Sequence, residues 1–267
     1  MKILITHINP HLDDIAAIWL FKRFNPEFKD ANVEFISASE GNTEAQESDD
    51  KVFLGVGRGR FDEHKGDLED AAVSLVWKFL KENNFTPTDP TALSALEELV
   101  DWVRLDDLGK PAHVYDEFSL PAFIRPKYSD NASSLKAVEL GVEILDRILD
   151  VLKRKHQAKK EWENHIEFDS KFGKSYAVKG KAVDREFCKK IGGDLFLMVD
   201  PDNNSVQYFT PSFEIDLKPI YDKVKKLDPA ADWFLHQSHH MVICGSGSAP
   251  DSKKTKLNFE QLIEAAK

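Results

Sequence analysis

The sequence predicts an α/β protein: an N-terminal Rossmann-like domain with a parallel sheet (residues 1–128), a long connecting helix (129–166) and a smaller C-terminal α/β domain (167–267). Three observations predict it. Short apolar runs alternate with amphipathic stretches at the start of the chain, apolar residues recur at steps of three and four across a long stretch after Asp130, and short β-rich runs take over beyond Ser175.

Residues 2–6 and 33–37 read as strands, with a helix from Asp14 to Phe24 between them and Pro26 close behind its end, which makes a βαβ opening. Val52-Phe-Leu-Gly-Val56 reads as a third, buried strand emptying into Gly57-Arg-Gly59. A helix over 68–83 places Leu68, Ala72, Leu75, Val76, Phe79 and Leu80 on one face, and Asn83-Asn84 stops it. The next helix starts at Asp89-Pro90-Thr91, where proline suits a first turn, with Leu93, Leu96, Leu99, Val100 and Val103 as its inner stripe. Asp106 extends that stripe and Asp107 lies off it, so Asp106 is the carboxylate expected inside, where it needs a cation, an arginine or backbone donors. Residues 110–130, with Pro111, Pro121 and Pro126, read as an irregular connector, and the long helix follows from a cap at Ser129 or Asp130 to Asn164. Leu195–Val199 and Val206–Phe209, separated by Asp200-Pro-Asp-Asn-Asn204, read as a β-hairpin.

Composition sets the outer bounds. With 267 residues, 42% hydrophobic and 31% charged, the chain can bury one large core or two modest ones, and two are preferred. No apolar run approaches the ~20 residues that span a bilayer, and the N-terminus enters a strand directly, so a cytoplasmic location without membrane contact is expected. Cys188 and Cys244 fit no zinc or disulfide spacing. The net charge of −10 is uneven: residues 1–150 carry −13 and residues 151–267 carry +3. An acidic half attracts cations and a mildly basic half can hold phosphate, although solvated faces explain the same numbers equally well. Such an acidic chain is a poor holder of long duplex nucleic acid.

Chemistry-bearing residues fall into four groups. His7-Ile-Asn-Pro-His11-Leu-Asp13 follows the first strand directly, and imidazoles plus a carboxylate at a strand's carboxyl end can converge on one divalent ion. Each residue has a plainer reading alone, Asp13 as a helix cap above all. Asp62-Glu63-His64 follows the third strand and so reaches the same sheet edge. Asp106 is the third element. The fourth is His236-Gln-Ser-His239-His240 before an apolar strand, with Gly245-Ser246-Gly247-Ser248 after it and Lys253, Lys254 and Lys256 nearby, a pattern that suits phosphate as well as a plain surface loop. Gly55-Val-Gly57-Arg-Gly59 has the wrong spacing for a dinucleotide loop.

The His7–Asp13 cluster, Asp62-x-His64, inward Asp106, the bridging helix and the glycine-rich C-terminal loop together resemble the DHH phosphoesterase superfamily over essentially the whole chain. The chain looks most like its branch of melanocyte-proliferating-gene-type hydrolases, described as metal-dependent 3′ to 5′ exoribonucleases. The resemblance implies a DHH domain followed by a DHH-associated domain, with an active-site cleft between them. It makes His7, His11, Asp13 and Asp106 metal ligands, with Asp62, Glu63 and His64 catalytic. Substrate falls to His236, His239, His240, Gly245, Ser246 and Gly247. Two positions depart from the motifs. Gly55 stands where the superfamily has a bridging aspartate, and Glu63 replaces an imidazole of Asp-His-His. The expected activity is hydrolysis of short oligonucleotides or small nucleotides by a metal-activated water, with Mn²⁺ as cofactor, or Mg²⁺ or Co²⁺ in its place. The alternatives are a degenerate nucleotide- or metal-binding protein, or a pyrophosphatase or phosphatase. Self-association into a homo-oligomer is left open.

Overall fold

The structure, a computed structural model, describes residues 1–37, 47–64, 69–110, 120–246 and 251–267. Leu68, Pro111, Gly247 and Ser248, four residues named above, lie outside the described residues. The chain divides into two compact units, Met1–Lys153 and Arg154–Lys267.

In the first unit, β1 (Ile3–His7) is the centre of a three-stranded parallel sheet, flanked by β2 (Asn32–Ile36) and β3 (Lys51–Phe53). Parallel neighbours need crossovers, and the first is α1 (Leu12–Phe24). Leu12 through Phe21 are all buried. That explains why α1 reads as apolar nearly all round and not as a striped surface helix. Helices α2 (Ala72–Glu82) and α3 (Pro90–Asp107) pack on it, their apolar stripes sharing one core with Ile15, Ile18 and Trp19. Asp89 caps α3 as expected, its carboxylate accepting from the N–H groups of Thr91 and Ala92. A short helix α4 (Leu120–Ile124) stands inside the stretch expected to be irregular. The long helix α5 (Asn131–Trp162) starts after Asp130, whose carboxylate accepts from Ser133 N–H at 2.7 Å.

The α5 helix comes close to α1 at Gly141. A β-carbon there would stand 2.5 Å from Ile15 Cγ2 and 3.3 Å from Ile124 Cγ2, so only a glycine lets α5 seat against α1 and α4.

The second unit is a mixed six-stranded sheet of order β4-β5-β6-β7-β9-β8, made of Ile166–Ser170, Gly173–Lys179, Leu195–Asp200, Ser205–Phe209, Trp233–Leu235 (β8) and Met241–Cys244 (β9). The hairpin read from the sequence is β6–β7. Pairing is antiparallel except between β5 and β6, which α6 (Arg185–Ile191) connects. One sheet face, with Leu197, Tyr208 and Val242, packs on α7 (Lys218–Leu227) and α8 (Phe259–Ala266). The other, with Tyr176, Phe196 and Met198, packs on Cys188 of α6 and on Ala158 and Trp162 of α5. Cys188 and Cys244 are both buried thiols.

Candidate metal centre

The turn between β1 and α1 is shaped by its own sequence. Asn9 takes a left-handed φ of 65°, a conformation asparagine tolerates, and its N–H donates to Ser134 Oγ on α5 at 3.0 Å. Pro10 is buried, and His11 becomes the residue before the first helical turn. Helix α1 therefore starts at Leu12, two residues earlier than the sequence suggests, and Asp13 lies inside the first turn instead of capping it. The capping carboxylate is Asp14, which accepts from His11 N–H at 2.8 Å.

Asp14 is also the hub of the site. Its Oδ2 lies 3.0 Å from His7 Nε2 and its Oδ1 accepts from Thr6 Oγ1 at 3.1 Å. His7 Nδ1 lies 2.8 Å from the Ile8 carbonyl, so Nε2 is the ring atom directed at the carboxylate. Burial opposes a charge on His7, but the hydrogen bond and charge of Asp14 outweigh it and hold the ring's pKa up at about 9. The His7 and His11 rings meet edge to face with centroids 5.1 Å apart. Gly55 explains how Asp14 fits. With φ at +64°, its missing β-carbon would stand 2.1 Å from Asp14 Oδ1. The position where the resemblance expects an aspartate is thus a glycine, and the space beside it holds the carboxylate of α1.

The glycines after β3 build a tight turn, with positive φ at Gly55, Gly57 and Arg58, that brings Phe61 parallel alongside Leu54. Asp62, Glu63 and His64 follow. The Asp62 carboxylate accepts from the N–H groups of Arg58 and His64 and faces His64 Nδ1 at 2.9 Å, so it shapes the loop and orients the imidazole. The His64 ring is largely exposed. Glu63 is half-buried, and its Oε2 is buried without a hydrogen-bond partner among the described residues. Burial pushes its pKa up to about 7; its own backbone and His64 draw it down, while Asp14 and Asp107 add to the rise.

Helix α3 contributes Asp107. Of its last two residues, Asp107 brings an oxygen within 4.8 Å of the donor atoms of both His11 and Asp13. Asp106, the ligand expected from the sequence, is half-buried on the wall of the same cavity. From Val103, a step of three reaches Asp106 and a step of four reaches Asp107; both are neighbours on a helix, so the stripe alone does not choose between them. That cavity, about 210 Å³, is also walled by Pro10, His11, Leu12, Asp13, Pro121, Ile124 and Arg125. A larger one of about 410 Å³, around Phe21, Phe61 and Phe79, contains none of the candidate ligands.

Three groups with donor atoms mutually within 4.8 Å stand among the described residues: His7, His11 and Asp14; His11, Asp13 and Asp107; and Asp62, Glu63 and His64. The first two share His11. The third joins them electrically, since Glu63 acts on His7 and Asp13, Asp14 and Asp107 act on Glu63, and His64 feels Asp14. Asp13, buried and facing Asp14, Asp107 and Glu63, has its pKa pushed well above the usual carboxylate range. The donor set fits a divalent cation. Neighbouring ligands on one ion are about 3 Å apart for bonds near 2.1 Å, so small rotations suffice, and the orphaned Glu63 oxygen is an acceptor awaiting a positive partner. Asp14 and Asp107 are the two donors the sequence reading missed. The adjacent carboxylate pairs, Asp13-Asp14 and Asp106-Asp107, were the available signal.

The C-terminal candidates flank β9, and the three histidines share one turn, where His239 N–H donates to the His236 carbonyl at 2.8 Å. His236 Nδ1 lies 2.7 Å from Ser238 Oγ, His239 Nδ1 lies 3.0 Å from Asp216 Oδ1, and the His240 ring meets exposed Phe213 edge to face at 4.9 Å. All three precede β9. Gly245 and Ser246 follow it, about 16 Å from His240 at the rise of an extended strand. The histidines and Gly245-Ser246 therefore occupy opposite ends of β9. Gly245, with φ at +79°, gives room to Lys254, whose Nζ would lie 2.9 Å from a β-carbon there.

No protein family and no curated protein matches the chain. Among solved structures it is similar to an uncharacterized protein from Helicobacter pylori G27, with 11% identity, 99% of this chain and 97% of that chain covered, and a TM-score of 0.27. Among the described residues, no helix is long and apolar enough to cross a membrane.

Proposed function

We propose that this chain is a divalent-metal-dependent phosphoesterase acting on short oligonucleotides or small nucleotides. The observation that carries the reading is the pair of donor triads sharing His11, with Glu63, whose Oε2 has no hydrogen-bond partner among the described residues, acting electrostatically on His7 and Asp13. The triads that share His11 mix imidazole with carboxylate and lack thiolate, a donor set suited to Mn²⁺ more than to the all-oxygen habit of Mg²⁺. His7, His11, Asp13, Asp14 and Asp107 would hold the cation, and Glu63 stands ready as a further ligand or as a base toward water. A cation bound there supplies Lewis acidity toward a phosphoryl oxygen and toward water.

The residues of the chain do the rest. His7 gives up its proton so that its Nε2 and Asp14 Oδ2, 3.0 Å apart, become two adjacent donors. Asp62 fixes the tautomer of His64 through Nδ1, which directs Nε2 outward as a contact for a phosphate oxygen or a leaving group. Asp14 serves in place of the strand-end aspartate that the resemblance expects at Gly55. A substrate role for His236, His239 and His240 is part of the same proposal, and Gly245 with Ser246 would contact substrate elsewhere on the second unit.

Hydrolysis of a dinucleotide and of bis-p-nitrophenyl phosphate, with Mn²⁺, Mg²⁺ or Co²⁺ and with His11→Ala as control, tests the reading. Metal-dependent release of mononucleotide that is lost in His11→Ala supports it. Tight nucleotide binding without turnover in any metal would instead mark a binding protein, the reading that Gly55 and Glu63 favour as departures from the motifs. Release of free phosphate alone would mark a phosphatase.

A further inference from the structure

We propose that Arg125, on the wall of the metal-ligand cavity, is an anion subsite that takes the phosphate of the substrate. This deepens the phosphoesterase reading and rests on it for the identity of the anion. Arg125 shares the cavity with His11, Asp13, Asp106 and Asp107 and is the one basic side chain of its wall among the described residues. Its backbone N–H closes on the Pro121 carbonyl at 3.2 Å, ending α4, while its guanidinium forms no ion pair or hydrogen bond among the described residues. In a cavity bearing three carboxylates, a guanidinium meant only to balance charge would bridge to one of them. Here the carboxylates of Asp13 and Asp107 converge with His11 instead.

The carboxylates of Asp13 and Asp107 are gathered with His11, the donors assigned to the cation. Arg125 belongs to no such group, and a planar guanidinium matches two phosphoryl oxygens at once. The position is built into the fold. Ile124, the preceding residue, is 2% exposed and packs on Ile15 and on α5 at Gly141, so the arginine extends from an anchored point. The neighbouring wall of Pro10, Leu12 and Pro121 is apolar, which strengthens a charged contact made beside it.

The test uses the full chain, wild type and Arg125→Ala and Arg125→Lys, with Mn²⁺ and inorganic phosphate binding followed by calorimetry and dinucleotide hydrolysis followed by product release. Arg125 is exposed, so both variants should keep the wild-type melting curve. Arg125→Ala is expected to leave Mn²⁺ affinity unchanged, to weaken phosphate binding to the Mn²⁺-loaded protein about tenfold or more, and to raise KM more than it lowers kcat. Arg125→Lys should recover part of the loss. Unchanged phosphate affinity and unchanged KM in Arg125→Ala overturn the subsite and leave the phosphoesterase reading standing. Arg125-dependent phosphate binding without ester hydrolysis overturns that reading and leaves the subsite standing. Wild type that binds no phosphate overturns the subsite.

Discussion

A proton on Glu63 is the most direct reporter of the centre. Its folded pKa, near 7, stands above its ordinary value of 4.5, so the metal-free protein loses stability as pH rises through that interval. Thermal melts of Glu63→Gln without metal should fall less steeply between those two pH values than melts of wild type. His7 acts in the next window. Its pKa is raised from 6.5 to about 9, so the stability it contributes is present below 6.5 and is lost as pH rises through 9. Asp107→Asn is expected to weaken Mn²⁺ binding by roughly tenfold or more, and Asp106→Asn far less, as titration calorimetry would show. Equal losses would return Asp106 to the ligand set. Gly55→Ala should destabilise the fold by about 1–3 kcal/mol in denaturant titrations, because positive φ and the Asp14 contact both oppose a side chain. The grouping of His7 and Asp13 with His11 was legible in the sequence because the three lie within seven residues and follow a strand. Asp14 was not, since a carboxylate in a first helical turn has an adequate explanation as a cap, and here it is both cap and hub.

At the scale of elements, burial decided what could be read in advance. Helices α2, α3 and α5 repeat an apolar stripe over three turns or more, and each was found close to its expected bounds. The shorter pieces escaped. The α4 helix has five residues between prolines, and α6 has seven, so neither holds enough periods to stand out from connecting chain. Strand β3 shrank to three residues because Gly55 turns the backbone left-handed, which sequence alone shows as one more residue in an apolar run. The close passage of α5 makes its own prediction. Gly141→Ala should gain helix propensity of up to about 1 kcal/mol, yet the 2.5 Å approach to Ile15 costs about 1–3 kcal/mol, so a net loss of stability is expected in chemical denaturation. A gain would mean that the helices separate without cost.

Across the whole molecule, each compact unit has hydrophobic cores of its own, and all the donors that converge on the candidate cation belong to Met1–Lys153. A bound ion stabilises what it binds, so hydrogen exchange with and without Mn²⁺ should slow around residues 7–14, 62–64 and 103–107 and leave β6 and β7 unaltered. Protection spread evenly over both units would contradict a centre confined to the first. The tie between Asn9 and Ser134 has a practical consequence for anyone who trims this protein. The loop bearing both histidines is fastened to a hydroxyl 125 positions downstream, so a fragment cut ahead of α5 would keep every donor in its sequence and lose the post that sets their spacing. An excised first unit has to run as far as Lys153, and a shorter one that binds metal poorly would indict the scissors before the candidate ligands.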